Sequence, residues 1–294
     1  MRPKPFPLAN SASALEPCVI AFLARHFDFM IIAQLSDPHL RPKGVLYQGT
    51  VDSNAMFAAA IAHLNGLFPR PDLVLVSGDI ADEGTPAEYE TAREVLFAIR
   101  QPLIVIPGNH DEREAFRRAF VDFDRLTDSG PLHVVAGEFG PVRILGLDIT
   151  VPGLHHGDFD DDAAAWLEKQ LAAAPERPTI VMMHQPPFAS GIPYLDDYWC
   201  RNGERLAALI ARYPNVERVA CGHVHRFMQV RFGGSLLCTA PSTTTAIALR
   251  LHADAEPASY LEPPAFLLHH WKPDTGLVTH LVPIGTFAGP FDFA

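Results

Sequence analysis

From Met30 onward, short apolar runs alternate with stretches whose apolar residues recur at helical spacing. Met30-Ile-Ile-Ala-Gln-Leu35, stopped by Ser-Asp-Pro, reads as a buried strand. Val51, Ala55, Ala58, Ala59, Ala62 and Leu67 then repeat with a helical period, which Pro69 and Pro71 end before a second strand at 72–76. A helix opening near Pro86 and running through Ile99, a strand at 103–106 and a helix at 112–121 continue the alternation. Further strands are expected at 142–147, 179–183 and 216–220, with helices at 163–173 and 204–212. Strands that alternate with helices imply a largely parallel sheet, because parallel neighbours need a crossover connection.

Beyond residue 222 the long helical patterns stop. The runs 228–232 and 235–239 flank Gly233-Gly234, a hairpin turn signal, and 265–271 with 277–283 read as a second hairpin. Pro257, Pro263 and Pro264 bracket a surface loop. A βαβ front half and a hairpin-rich back half imply two packed sheets flanked by helices. The late hairpins, 241–294, are candidates for a cap or for a surface between copies of the chain.

Residues able to bind divalent metals stand just past successive predicted strands, where ligand sites collect in open α/β sheets. They are Asp37-Pro-His39, Gly78-Asp79, Gly108-Asn-His-Asp111, His184 and Gly222-His-Val-His225. Any one such histidine is more often a hydrogen-bonded surface residue than a ligand, but five segments each placed at a strand end make coincidence a poor account. In Asp-x-His and His-x-His the two donors stand at i and i+2, on the same side of an extended chain. Asp37, His39, Asp79, Asn109, His184, His223 and His225 are too many for one ion and suit two first-row ions that share a carboxylate. The glycines at 78, 108 and 222 permit close backbone approach at the strand ends.

This motif set resembles that of the calcineurin-like metallophosphoesterases, over 30–225. The resemblance implies an α/β fold of four layers, αββα, in which two mixed sheets lie between helices and carry both metals at one edge. It implies that Asp37, His39, Asp79 and His225 hold the first metal, and Asp79, Asn109, His184 and His223 the second. Within the family, Arg41-Pro-Lys-Gly-Val-Leu-Tyr-Gln-Gly49, Val51-Asp-Ser-Asn54, Asn202-Gly203 and Ala288-Gly-Pro290 are similar to segments of the bacterial cyclic-nucleotide (class III) and glycerophosphodiester phosphodiesterases.

The expected chemistry is hydrolysis of a small phosphodiester, a 3',5'-cyclic nucleotide or a glycerophosphodiester, by a hydroxide bridging two metal ions. Manganese, iron, zinc and cobalt all suit a mixed N/O donor set without thiolate. His110 is expected to donate a proton or hydrogen bond to the leaving group, with Asp111 orienting His110 or a loop, or capping a helix. Substrate contacts are expected from Asn109 and His110, and more weakly from Tyr47, which also reads as a packed aromatic. His155-His156 beside Gly157 reads as a polar loop or, as the lesser alternative, as facing the phosphate, and His269, His270 and His280 read as structural. The competing readings are a phosphomonoesterase, for which only Arg41 and Lys43 near the first motif offer cationic groups, and a non-catalytic interaction scaffold.

Composition narrows the setting. The 294 residues fit one large α/β unit, residues 30–294, after a loose extension at 1–29. Asp and Glu outnumber Lys and Arg 34 to 23, and the net charge of -11 makes long nucleic acid an unexpected partner. Cys18, Cys200, Cys221 and Cys238 are scattered without CxxC spacing, so buried thiols are expected rather than a disulfide framework. The apolar stretch 18–24 is too short to span a bilayer, and Glu16, Pro17 and Arg25-His26 around it fit a secretory signal badly. A cytoplasmic location without membrane contact is therefore expected.

Overall fold

The computed structural model describes residues 29–122 and 126–292. The expectations for the extension, and for Cys18, lie outside the described residues. The front half is built from β1 (Met30–Leu35), α1 (Ser53–Asn65), β2 (Leu73–Ser77), α2 (Pro86–Leu96), β3 (Leu103–Ile106) and α3 (Arg113–Ala119). Helix starts follow local chemistry. Asp52 accepts from Ala55 N at α1, and Thr85 and Glu88 form a capping box with Pro86 in the first turn of α2. At α3 the cap is Glu112, which accepts from Glu114 N and Ala115 N, and not Asp111.

The chain continues through β4 (Val134–Ala136), β5 (Arg143–Gly146), β6 (Gly157–Asp158), α4 (Asp161–Ala173), β7 (Thr179–Met182), β8 (Cys200–Arg201), α5 (Gly203–Ile210) and β9 (Val216–Cys221). It ends in β10 (Met228–Phe232), β11 (Ser235–Thr239), β12 (Ala246–Ile247), β13 (Ser259–Tyr260), β14 (Ala265–Lys272) and β15 (Gly276–Pro283). One sheet has the order β15-β14-β1-β2-β3 and the other β10-β11-β9-β7-β5-β4; β12-β13 and β6-β8 are two-stranded ribbons. The interior pairs β1-β2-β3 and β5-β7-β9-β11 are parallel, while β14-β1, β14-β15, β10-β11 and β4-β5 are antiparallel. Both sheets are thus mixed, rather than the largely parallel sheet that the βαβ pattern alone suggests.

Side-chain alternation sorts the apolar residues into layers. Met30 and Ile32 of β1 join Leu73, Leu75, Ile104, Ile144, Ile180 and Met182 between the sheets. Ala33 and Leu35 face the other way, with Phe57, Leu64, Tyr89, Phe116 and Phe120 from α1, α2 and the α3 region. Leu145, Val181 and Val219 pack outward on Leu167, Leu171 and Leu206 of α4 and α5. The result is helix, sheet, sheet, helix. The β14-β15 hairpin is part of the first sheet, with Met30 opposite Trp271 and Gln34 opposite Leu267.

A polar thread crosses the space between the sheets. Gln34 Nε2 donates to Ser77 Oγ at 2.9 Å and to Cys221 O, on the second sheet, at 2.9 Å. Its Oε1 must therefore accept, and His269 Nε2 stands 3.1 Å away while His269 Nδ1 faces Thr279 Oγ1 at 2.9 Å. The imidazole is neutral: burial, with Arg218 nearby, pushes it down to about 3. A histidine depressed in the folded state contributes its full stability above the ordinary 6.5 and loses it as pH falls from there toward about 3. At pH 5 the loss from this group is about 2 kcal/mol. His269→Leu should cost about 2 kcal/mol at pH 7, by leaving Gln34 and Thr279 unpaired, and should flatten the fall in stability between pH 7 and 5. Urea midpoints at the two pH values check this, and identical pH slopes in both proteins would exclude it.

Candidate metal centre

The loops after β1, β2, β3, β7 and β9 converge at one edge of the two sheets. The backbone after β1 is zipped to the turn after β2 by His39 N donating to Asp79 O at 3.0 Å and Leu40 N to Ile80 O at 2.9 Å. Gly222 N donates to His184 O at 2.9 Å, which ties the ends of β7 and β9. The loops come too close for side chains at the glycines. A Cβ on Gly222 would lie 2.1 Å from Ser36 Oγ and 2.9 Å from Asp37 Oδ2, and one on Gly108 would lie 2.1 Å from Asp79 Oδ1. Asp37, His39, Asp79, His223 and His225 all have positive φ, between 43° and 71°. Non-glycine residues adopt this region at an energetic cost and concentrate there at functional sites.

Donor atoms of Asp37, His39, Asp79 and His225 lie within 4.8 Å of one another, as do those of Asp79, His184 and His223. Asp79 is common to both clusters. Its Oδ2 stands 3.1 Å from His184 Nε2 and 3.7 Å from His39 Nε2, and its Oδ1 accepts from His110 N at 2.9 Å. Asp37 Oδ1 lies 3.5 Å from His225 Nε2 and 3.8 Å from His184 Nε2, and the carboxylate accepts from His223 N. Asn109 joins the second cluster through Oδ1, 2.8 Å from His223 Nδ1.

The outer nitrogens of the rings are fixed by neighbours, which sets the tautomers. His184 Nδ1 donates to Ser77 O at 2.7 Å and His225 Nδ1 to Thr245 O at 2.9 Å, while His39 Nδ1 faces Asp82 Oδ1 at 3.3 Å. The inner nitrogens are thereby turned on the cluster. His39 Nε2 and His225 Nε2 meet at 3.1 Å, a contact that needs positive charge, a proton or a cation, to be favourable. His223 Nε2 is buried without a hydrogen bond, and His184 Nε2 has the Asp79 carboxylate at 3.1 Å. An orphaned nitrogen among imidazoles and carboxylates, without thiolate, fits hard or borderline divalent cations.

The electrostatics agree. Burial alone would lower His184, but Asp79, Asp37 and Ser77 O overturn this and raise it to about 9. Burial would raise Asp79, yet His184, His110 and His39 hold it well below the usual carboxylate range. For His39, too, burial is outweighed, by Asp82 and the two cluster carboxylates, and the net direction is upward. Burial dominates at the other two rings: His225 falls to about 4 and His223 well below its ordinary value. The pocket attracts positive charge, and part of its donor set is neutral at neutral pH.

A cavity of about 370 Å³ opens over the clusters, lined among others by Tyr47, Asn109, His110, His155, Tyr194 and Tyr198. His110 Nδ1 donates to Asp82 O at 2.7 Å, which leaves the other ring nitrogen for the cavity. Tyr47 borders the cavity and stacks on His39 at 4.9 Å between ring centroids. Asp111 does not line the cavity and makes no hydrogen bond to the His110 ring. It accepts from Gly108 N, Ile80 N, Ala81 N and Tyr89 Oη, pinning the β2 turn to the β3 loop. Burial of its carboxyl and the charge of Asp79 push it up to about 6.

Two contributors escape a reading of motifs: Asp82 holds His39, His110 and Arg41, and Thr245 orients His225 through its carbonyl. His155, for which a loop and a site-facing place were both open, faces Asn109 Nδ2 at 3.2 Å. Asp82, three residues past the Asp79 motif, offered a weak signal; Thr245 acts through its backbone and offered none. Arg41 is spent on Asp82, Glu83 and Glu88, and Lys43 on Glu94. His269 lies in the sheet interior, away from the cavity. Cys200, Cys221 and Cys238 are free and buried, and among the described residues no helix is long and apolar enough to cross a membrane.

Comparison with known proteins places this geometry in a family. Residues 30–227 match the calcineurin-like phosphoesterase family model. The chain is 39% identical over 265 residues to a probable glycerophosphodiester phosphodiesterase GpdQ of Arcobacter nitrofigilis, covering 90% of this chain and 97% of the relative. It is 33% identical over 218 residues to the 3',5'-cyclic adenosine monophosphate phosphodiesterase CpdA of Escherichia coli, covering 72% and 75%. A dimetal phosphatase from Danio rerio shares the fold, with a TM-score of 0.58 over 87% of this chain and 99% of the other at 13% identity. With a carboxylate common to two donor clusters at the edge of a four-layer sandwich, and a family match across most of its length, the chain belongs to the calcineurin-like phosphoesterases.

Proposed function

We propose that the protein hydrolyses small phosphodiesters, a glycerophosphodiester or a 3',5'-cyclic nucleotide, at a dinuclear centre. Relatives named for both activities support the reaction class. The observation that carries the choice of diester over monoester is the cavity lining, which takes in members of both donor clusters, His39, Asp79, Asn109, His223 and His225, and among the described residues no lysine or arginine. A diester carries one negative charge and a monoester up to two, so the monoester gains more from cationic side chains beyond the metals. Arg41 and Lys43, which follow the first motif in the chain, are bound to carboxylates and do not line the cavity.

In this reading Asp37, His39, Asp79 and His225 hold one metal ion, and Asp79, Asn109, His184 and His223 the other. Manganese, iron, zinc and cobalt are all compatible with these donors. When bound, the ions supply charge neutralisation at the phosphoryl group and lower the pKa of water toward neutrality. The side chains do the rest. Asp82, Ser77 O and Thr245 O keep the lone pairs of His39, His184 and His225 turned inward. His110, with Nδ1 committed to Asp82 O, presents its remaining nitrogen to the substrate and donates to the leaving oxygen when protonated. Asn109 and Tyr47 border the bound phosphodiester. Asp111 is a positioning residue, because it fixes the loop that carries Asn109 and His110.

A comparison of cyclic AMP, glycerophosphocholine, a chromogenic diester and a chromogenic monoester under one manganese loading should rank at least one diester first; activity on the monoester alone would sink the assignment. Asp79→Asn should deplete both metals together in elemental analysis, and one fully retained ion would refute the shared ligand. His110→Ala should lower kcat by about 10²- to 10⁴-fold with metal content unchanged, whereas loss of metal would make His110 a ligand instead. A chain that binds no metal and cleaves nothing after reconstitution would favour the interaction scaffold.

A further inference from the structure

A second wall of the cavity, formed by the segments 194–198 and 247–259, has so far been assigned nothing in the reaction. Tyr194 Oη donates to Ala258 O at 3.4 Å, joining the two segments into an arch. Ile192, Leu195 and Val224 pack with Tyr194 and Ile247 to make the arch part of a small core of its own. Its cavity side presents Tyr194, Tyr198, Ile247, Ala258 and Ser259, none of them charged.

The cations close to the arch are turned elsewhere. Arg226 donates to Ile247 O at 2.6 Å and grips Glu262 with both terminal nitrogens, at 3.1 to 3.3 Å. Arg250 donates to Glu256 O at 3.2 Å. Neither lines the cavity. An anionic group pressed on this wall would exchange its hydration for aromatic and aliphatic surface and neutral hydroxyls, with no charge-assisted hydrogen bond in return. An uncharged or cationic group meets no such penalty, and aromatic faces favour a cation.

We propose that the neutral wall of Tyr194, Tyr198, Ile247, Ala258 and Ser259 is the subsite for the alcohol portion of the diester, and that it excludes alcohols bearing a second phosphate. The inference rests on the diester reading above. It names the substrate class more narrowly: diesters of uncharged or cationic alcohols. The discrimination should amount to about tenfold or more in kcat/KM, the worth of roughly one missing charge-assisted hydrogen bond.

The test uses the full chain loaded with manganese and two diesters that differ only by a second phosphate, glycerophosphoinositol and glycerophosphoinositol 4-phosphate. The unmodified protein should prefer the first by about tenfold or more. Tyr198→Arg and Ser259→Lys, at partly exposed positions of the wall, should narrow that preference by raising kcat/KM for the phosphorylated diester, while Tyr198→Gln should not. Metal content and urea midpoints of each variant identify any that fail to fold, and either cationic variant suffices. Equal turnover of both substrates by the unmodified protein would overturn this inference and leave the diester reading standing, as would a preference that neither folded cationic variant changes. Failure to cleave either substrate, or any other diester, with both metals bound would overturn both.

Discussion

Two buried carboxylates facing four imidazoles are the constraint around which the molecule is organised. Asp37 and Asp79 are withdrawn almost completely from water, and uncompensated charges in such a setting cost several kcal/mol each. The histidines answer part of that cost and a pair of cations answers the remainder. The donors come from both sheets: β1, β2 and β3 lead into Asp37, His39, Asp79 and Asn109, whereas β7 and β9 lead into His184, His223 and His225. The relative placement of the sheets therefore sets the spacing of the donors. The Gln34 thread, linking β1 to Cys221 on the second sheet and to His269, holds that placement next to the site with polar bonds that cannot slide as apolar contacts can.

Much of this was legible in the chain. The strands of both sheet centres, all five helices among the described residues and the Gly233-Gly234 hairpin follow from apolar period and turn residues, with ends displaced by at most three residues. The donor motifs were visible because each lies within a few residues in a loop that a buried strand delivers. What escaped has a common cause. The strand β4 and the ribbons β6-β8 and β12-β13 are too short to carry a period, and the place of the β14-β15 hairpin beside β1 is decided by a pairing more than two hundred residues apart. Asp82 and Thr245 act on histidines they are not adjacent to, Thr245 through its backbone carbonyl and Asp82 through both carbonyl and carboxylate.

The division of labour between scaffold and loops is also visible. The parallel strands and their turns fix the donors, and nothing in them distinguishes one phosphoester from another. The selective surfaces are carried by connections between short elements, the 192–198 segment and the stretch spanning β12 and β13. Such connections can change without disturbing the sheets. A shared fold thus leaves substrate choice to a few side chains at the arch.

The left-handed backbone at Asp37, His39, Asp79, His223 and His225 limits the alphabet from which this centre can be rewritten. Asp, Asn and His are the non-glycine residues most at ease in that region, and they are also the ones found here. Exchanging a ligand for glutamate or cysteine to favour another ion would ask the loop as well as the metal to accept the newcomer. Engineering of metal preference is better directed at a side chain behind the donors, such as Asp82, which stands beside His39 and whose backbone has no such requirement.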